Sequence, residues 1–440
     1  MPFFLLVFCL FGSTLFAQNK LVSYELVKTF TKEDLKKKWK EQKVPEAIAP
    51  VNYSVDVYEL VYYTNWHDGT PVKASGLYYV PREEAGKEIP ALPMVCYHHG
   101  TQIVKERKVK LGGEQAICIG LAADGYLVAR PDYIGLGKGE RKHLYHHVPT
   151  QAGASMDMLR AIKELNSTIK VWQNDMLFAT GYSQGGHATM SFHKTVQEKY
   201  SDEFKITASA PMSGAYDLAG VQEETMFREY SHPGYLPYLF FSFQEVYNFY
   251  EDITEVFKHP YDTLLPDLYQ GLHSMGYINR LIPSVPKDVI KPEVVNQYLD
   301  NDDFPFKKAL RENSVHDWKP ERPMMICYCQ ADEQVSYKNA LVAHDKMKEN
   351  GSTVVRLKHV NKHLGHNDCA MFAVMHAKMF FDSFRKGSKK GTQGPVGKRF
   401  LLGIGKGIVA NKAKKARKER KKMKKKAAAE EKEEITQAAK

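Results

Sequence analysis

The stretch ATGYSQGGHAT, residues 179–189, constrains the fold more than any other part of the chain. Gly181, Gly185 and Gly186 surround a single serine, Ser183. Inside a helix each glycine costs about 1 kcal/mol relative to alanine, so a helix interior has no use for this spacing. A sharp turn in which backbone runs against backbone does, because no Cβ fits there. The apolar run DMLFATG (175–181) reads as a buried strand, and residues 185–199 carry a helical pattern. A chain passing from strand to helix through such a turn holds the serine hydroxyl out at its tip. The first N–H groups of the helix lack partners there, and the positive end of its dipole lies beside the hydroxyl. G-x-S-x-G in this context is the signature of an exposed nucleophile.

The rest of the chain repeats the strand–helix alternation. Strands are expected over 53–66, 73–81, 91–100, 125–132, 205–214, 322–330 and 352–360. Helices are expected over 113–124, 151–165, 337–349 and 368–385. Asp68-Gly69 marks a hairpin between the first two strands. Alternation of this kind predicts an α/β fold, a mostly parallel sheet flanked by helices and led by two antiparallel strands. Residues 217–318 break the pattern: they are rich in Tyr, Phe and Pro and show short helical stretches without strand alternation. They read as a helical cap inserted before the penultimate strand. The expected organisation is a signal peptide (1–17), an N-terminal extension (18–50) that is polar and helical near 32–42, a first core part (51–216), the cap (217–318), a second core part (319–385) and a basic low-complexity tail (386–440).

The formal net charge of +11 belongs to that tail. From Lys386 onward there are 19 Lys and Arg against 5 Asp and Glu, so the remainder carries −3. A near-neutral body gives no reason to expect a nucleic-acid partner. The tail, with eleven basic residues between Lys412 and Lys426, is expected to be disordered, since its composition cannot bury a core. Its apolar members Phe400, Leu401, Leu402, Ile404, Ile408 and Val409 suggest contact with an anionic membrane surface. The first 17 residues are apolar and end in Ala17, as a secretory signal does, which places the protein outside the cell or in a periplasm. Cys9 would leave with that signal. The remaining five cysteines form no disulfide framework; Cys327 and Cys329 read as small buried residues, with room for one bridge in an oxidising compartment.

A serine becomes a nucleophile only beside a base that is held by an acid. On a parallel sheet both should come from loops that follow strands. QADEQV follows the strand ending near 330, and Asp332 stands at the loop position; NKHLGHNDCA follows the strand ending near 360, and His366 stands just before the last helix. His363 shares that loop, and Asp217, Glu333 and Asp368 are rival carboxylates. An oxyanion needs two N–H donors. Gln184 follows the nucleophile, and Thr101 follows the Gly100 of YHHGT, where His99 reads as a brace for the loop. The glycines of GLGKG (135–139) lack the context of a phosphate loop, and His143, His146 and His147 read as solvated loop residues rather than metal ligands. No cofactor and no metal is expected.

With ASGLYYVP, YHHGT, GYLVARPDYIGLG, GYSQGG, ADEQV and GHNDCA in place, residues 53–384 resemble an α/β-hydrolase of the esterase/lipase kind. HHGT, PDYIGLG and the long insertion before the acid are similar to secreted lipases with a helical cap. The resemblance implies Ser183, Asp332 and His366 as a triad, a cap over an acyl pocket, and a small-molecule or lipid ester as substrate. The basic tail departs from that pattern. Two other readings use the same residues differently: a peptidase or amidase with the same triad, or a non-catalytic surface-binding protein on a hydrolase scaffold.

Overall fold

The computed structural model describes residues 19–83 and 87–438. The expected signal peptide, Cys9 included, lies outside the described residues. In chain order the elements of the first half are β1 (Leu21–Phe30), α1 (Lys32–Glu41), β2 (Ser54–Asn65), β3 (Pro71–Arg82), β4 (Leu92–His98), α2 (Gly113–Ala123), β5 (Leu127–Pro131), α3 (Val148–Ile169), β6 (Gln173–Tyr182), α4 (Gln184–Lys199) and β7 (Ile206–Met212). Five α-helices follow without a long strand: α5 (Tyr235–Tyr247), α6 (Tyr261–Leu268), α7 (Met275–Ile278), α8 (Pro292–Asp300) and α9 (Pro305–Glu312). The chain then closes with β8 (Met324–Cys329), α10 (Lys338–Glu349), β9 (Val355–Asn361), α11 (His366–Arg385) and α12 (Val396–Ala438).

The strands form one nine-stranded sheet in the order β1-β2-β3-β5-β4-β6-β7-β8-β9. β1, β2, β3 and β5 pair antiparallel, and every pairing from β5 to β9 is parallel. Parallel strands buried on both faces need apolar residues throughout, and all seven residues of β4 are buried. Its side chains alternate between two cores. Val95 and Tyr97 join the one built with α1, α2 and α11, whereas Leu92 and Met94 join the one built with α3 and α4. A third apolar cluster, with Phe240, Phe243, Phe257 and Phe306, belongs to the α5–α9 segment. Ile103, Tyr145 and Val335, from loops outside the segment, join the same cluster.

Two sequence expectations fail. The extension reads as polar with one helix, yet Leu21–Phe30 forms an edge strand paired along β2. The composition of the tail predicts disorder, yet Val396–Ala438 is a helix. Ala, Lys, Arg and Glu are strong helix formers, and part of the helix finds a partner. Leu402 and Ala410 are buried. Gly405 lies beside Phe372 of α11, where an added Cβ would stand 3.6 Å away in ordinary van der Waals contact. Lys406 Nζ donates to the Val360 carbonyl at 3.3 Å, and Arg417 donates to the Ala331 carbonyl at 2.8 Å. Phe400, Leu401, Ile404 and Ile408 stay exposed. No helix among the described residues is long and apolar enough to cross a membrane.

Candidate active site

β6 ends at Tyr182 and α4 begins at Gln184, so Ser183 alone makes the turn. Its backbone sits at φ 62°, ψ −122°. A non-glycine residue held there costs on the order of 1–3 kcal/mol, and the surroundings enforce it. The Ser183 N–H donates to the Met212 carbonyl of β7 at 3.0 Å. A Cβ on Gly181 or Gly185 would collide with the His98 carbonyl at the end of β4. The glycines thus let three strand ends and a helix start converge on one serine.

The loop after β8 brings Asp332 to the loop after β9. The Nδ1–H of His366 donates to the two Asp332 oxygens at 2.9 and 2.8 Å, and both side chains are almost fully buried. Asp332 is itself held, with Oδ1 accepting from the N–H groups of Gln334 and Val335 at 3.0 and 2.9 Å. Glu333 accepts the His366 backbone N–H at 3.1 Å, and Tyr182 donates its hydroxyl to the His366 carbonyl at 2.7 Å. A disulfide joins Cys329, three residues before the acid, to Cys369, three residues after the imidazole. Both ends of the pair are therefore covalently linked. Cys327 stays a free, buried thiol.

The rival carboxylates are occupied elsewhere. Asp217 accepts from the N–H groups of Gly220 and Val221 at 2.9 and 3.0 Å and faces His316. Asp368 is exposed in the first turn of α11. His363 is half-buried, and its backbone N–H donates to Asn361.

Gln184 borders one cavity together with Ser183, and Thr101 borders another. Thr101 shares a 3.0 Å hydrogen bond with the Tyr145 hydroxyl. The Gln184 side-chain amide reaches His143 Nε2 at 2.8 Å, and His143 Nδ1 lies 3.0 Å from the Ile134 carbonyl. A carbonyl only accepts, so Nδ1 carries the hydrogen and Nε2 accepts from Gln184. The ring is neutral, and burial pushes its pKa down to about 4. His143, His146 and His147 are all buried, which corrects their reading as solvated loop residues. They pack in an aromatic layer between core and cap, with the His146 ring 4.4 Å from that of His187. Among the described residues no cluster of His, Cys, Asp and Glu could hold a metal ion. His99 Nδ1 lies 2.7 Å from the Gly100 carbonyl, within the loop that carries Thr101.

Glu114 carries no motif that marks it along the chain. From the start of α2 its carboxylate accepts the Gly100 N–H through both oxygens, at 3.1 and 3.0 Å. Burial pushes its pKa up, opposed by Arg130 and by that N–H group. Glu114 therefore fixes the Gly100 peptide beside the serine.

Two cavities meet at Ser183. One, of about 470 Å³, runs between α1, α2 and α11 and includes Thr101, Glu114 and His366 in its wall. The other, of about 50 Å³, lies under the cap beside Gln184 and Tyr145. Ser183 and Tyr235 border both. A serine at a strained turn, an imidazole anchored by a carboxylate on the same cavity wall, and adjoining N–H groups make a site fit for acyl transfer.

A family model of secretory lipases matches residues 102–375. No curated protein matches the sequence. Among solved structures, a protein of Legionella pneumophila held to be a hydrolase is 29% identical with a TM-score of 0.76, covering 84% of this chain and 99% of that one. The rice cell wall degrading esterase LipA of Xanthomonas oryzae is 26% identical with a TM-score of 0.72, covering 82% of this chain and 95% of its own. Lipase A of Candida antarctica in its closed state shares the fold at 14% identity and a TM-score of 0.63, over 86% of this chain and 84% of that one.

Proposed function

The chain belongs to the secretory lipase family, and on that footing we propose that it is a secreted serine hydrolase that cleaves carboxylic esters through an acyl-enzyme. Ser183 is the nucleophile, His366 the base and Asp332 the acid that orients it. With Nδ1 engaged by Asp332, Nε2 is the nitrogen left to take the Ser183 proton. The N–H groups of Gln184 and Thr101 hold the negative charge that develops on the carbonyl oxygen; each such donor contributes about 3–4 kcal/mol to the transition state. The protonated imidazole then hands its proton to the leaving alcohol, and water, activated by the same ring, releases the acid.

The observation that carries this reading is the paired 2.9 and 2.8 Å contact between Asp332 and His366, on a ring that lines the same cavity as Ser183. The test is labelling with a fluorophosphonate. Wild type should label and Ser183→Ala should not. p-Nitrophenyl esters should turn over at least a hundredfold faster than aminoacyl anilides. Absence of label on folded wild type would favour a non-catalytic binder, and faster anilide cleavage a peptidase.

Export is assigned to residues 1–17. The exposed apolar residues of α12, Phe400, Leu401, Ile404 and Ile408, followed by the lysine run from Lys412, form a surface suited to anionic lipid. Co-sedimentation should occur with phosphatidylserine vesicles and fall sharply with phosphatidylcholine alone. Equal binding to both would remove the electrostatic part of this reading.

A further inference from the structure

The two cavities at Ser183 differ about ninefold in size, and His366 borders only the larger. Both facts bear on how an ester must lie. Attack by Ser183 Oγ forms a new C–O bond. When the old one breaks, the alcohol oxygen leaves and must collect the proton that His366 took from the serine. That oxygen has to be within hydrogen-bond reach of the imidazole. The alcohol half of the ester therefore occupies the side that His366 lines, and the acyl half occupies the other.

Resting on the serine-hydrolase reading above, we infer that this site takes short-chain acyl esters of bulky apolar alcohols, with the alcohol in the groove between α1, α2 and α11 and the acyl group beneath the cap. A cavity needs roughly 10–15 Å³ to hold one water-sized group. The 50 Å³ space under the cap then holds about three to five such groups, enough for an acetyl to butyryl chain. Leu218, Met226, Leu236, Leu239 and Val335 give it an apolar side, with Gln222 and Thr225 among its polar neighbours. The 470 Å³ groove holds roughly thirty or more groups on the same measure. Val44, Ile48, Ile117, Leu121, Val374 and Met375 give it apolar sides. Tyr235 stands between the two spaces, and its hydroxyl donates to Gln334 Oε1 at 3.2 Å. The ring is thereby fixed as the partition that keeps a long acyl chain from turning into the groove.

The N-terminal segment has a role in this arrangement. Trp39 of α1 and Ile48 after it line the groove, so residues that precede the α/β core help to build the alcohol side of the site.

The experiment compares two ester series on the full chain. In p-nitrophenyl esters, kcat/KM should fall at least tenfold from butyrate to decanoate. In alkyl acetates, it should rise at least tenfold from ethyl to decyl. Leu236→Ala, or Met226→Ala should the first fail to fold, should recover decanoate hydrolysis relative to butyrate. Ala116→Trp, which fills the groove from α2, should lower the decyl-to-ethyl acetate ratio about tenfold. Fluorophosphonate labelling of Ser183 accompanies every measurement. Decanoate cleaved as well as butyrate by labelled wild type, or decyl acetate no better than ethyl acetate, would overturn the inference and leave the hydrolase reading standing. Loss of both label and hydrolysis in folded wild type would overturn the two together.

Discussion

Acid should unfold this protein steeply, well above the pH at which carboxylates protonate. Six imidazoles, those of His98, His99, His143, His147, His187 and His193, are at most 9% exposed. Burial pushes His98, His99 and His193 down to about 3 and His143, His147 and His187 down to about 4. Several are locked as neutral tautomers. His187 Nδ1 accepts from Gln151 at 2.7 Å while its Nε2–H donates to the Asn313 carbonyl at 2.8 Å, tying α3, α4 and the cap together. An unfolded imidazole titrates near pH 6.5. Above that pH neither state binds the proton, and the histidines have no effect. Below it the unfolded chain takes up protons that the folded chain refuses, so stability falls as pH falls and levels off only near the folded values. By pH 5 each site shifts the balance by about 2 kcal/mol, and six shift it by about 12 kcal/mol. That is comparable to a typical total stability of roughly 5–15 kcal/mol. The assay is denaturant unfolding at fixed pH values from 7.5 to 4.5, followed by tryptophan fluorescence. Trp318, 5.2 Å from His193, reports from inside the core. Stability should drop by several kcal/mol per pH unit between pH 6 and 5. A slope below about 1.4 kcal/mol per unit, the value for a single proton, would refute the argument.

Four further outcomes are expected. The Cys329–Cys369 bridge closes a 40-residue loop, which the chain-entropy relation values at about 4 kcal/mol. Cys329→Ser/Cys369→Ser should therefore melt about 4–5 °C lower and lose kcat, because Asp332 and His366 are no longer tied; an unchanged Tm in calorimetry would count against this. Asp132 accepts from Arg107 and Arg130 at 2.7 and 3.1 Å deep in the core, and despite its burial these guanidiniums hold its pKa below the ordinary value. Asp132→Ala should cost about 3–5 kcal/mol by leaving two buried cations without their shared carboxylate, as a denaturant melt would measure. Gly185→Ala should drive its new methyl into the His98 carbonyl and shift Ser183, lowering kcat about a hundredfold. Gly153→Ala in α3, where the added Cβ meets open space, should instead gain about 0.5–1 kcal/mol of stability with turnover unchanged.

Local chemistry along the chain was enough for much of the fold. The apolar runs ending at Tyr182, Met212 and Cys329 had to be buried parallel strands, and the glycines around Ser183 had to make a tight turn, because hydrophobic period and steric room are properties of neighbouring residues. Asp332 and His366 were legible as loop positions after strands, although the sequence left Asp217 and His363 beside them. What the sequence could not express was contact between distant segments. Asp217 turns out to cap its own turn, and Asp332 meets His366, only because β8 and β9 lie side by side. Glu114 reaches Gly100 because α2 folds back across the end of β4. Histidines that look solvated in a polar loop are buried because the cap closes over them, and Val396–Ala438 is a helix that finds a partner in α11. Each of these depends on which surfaces pack together, and packing joins residues that the periodicity of a single segment never relates.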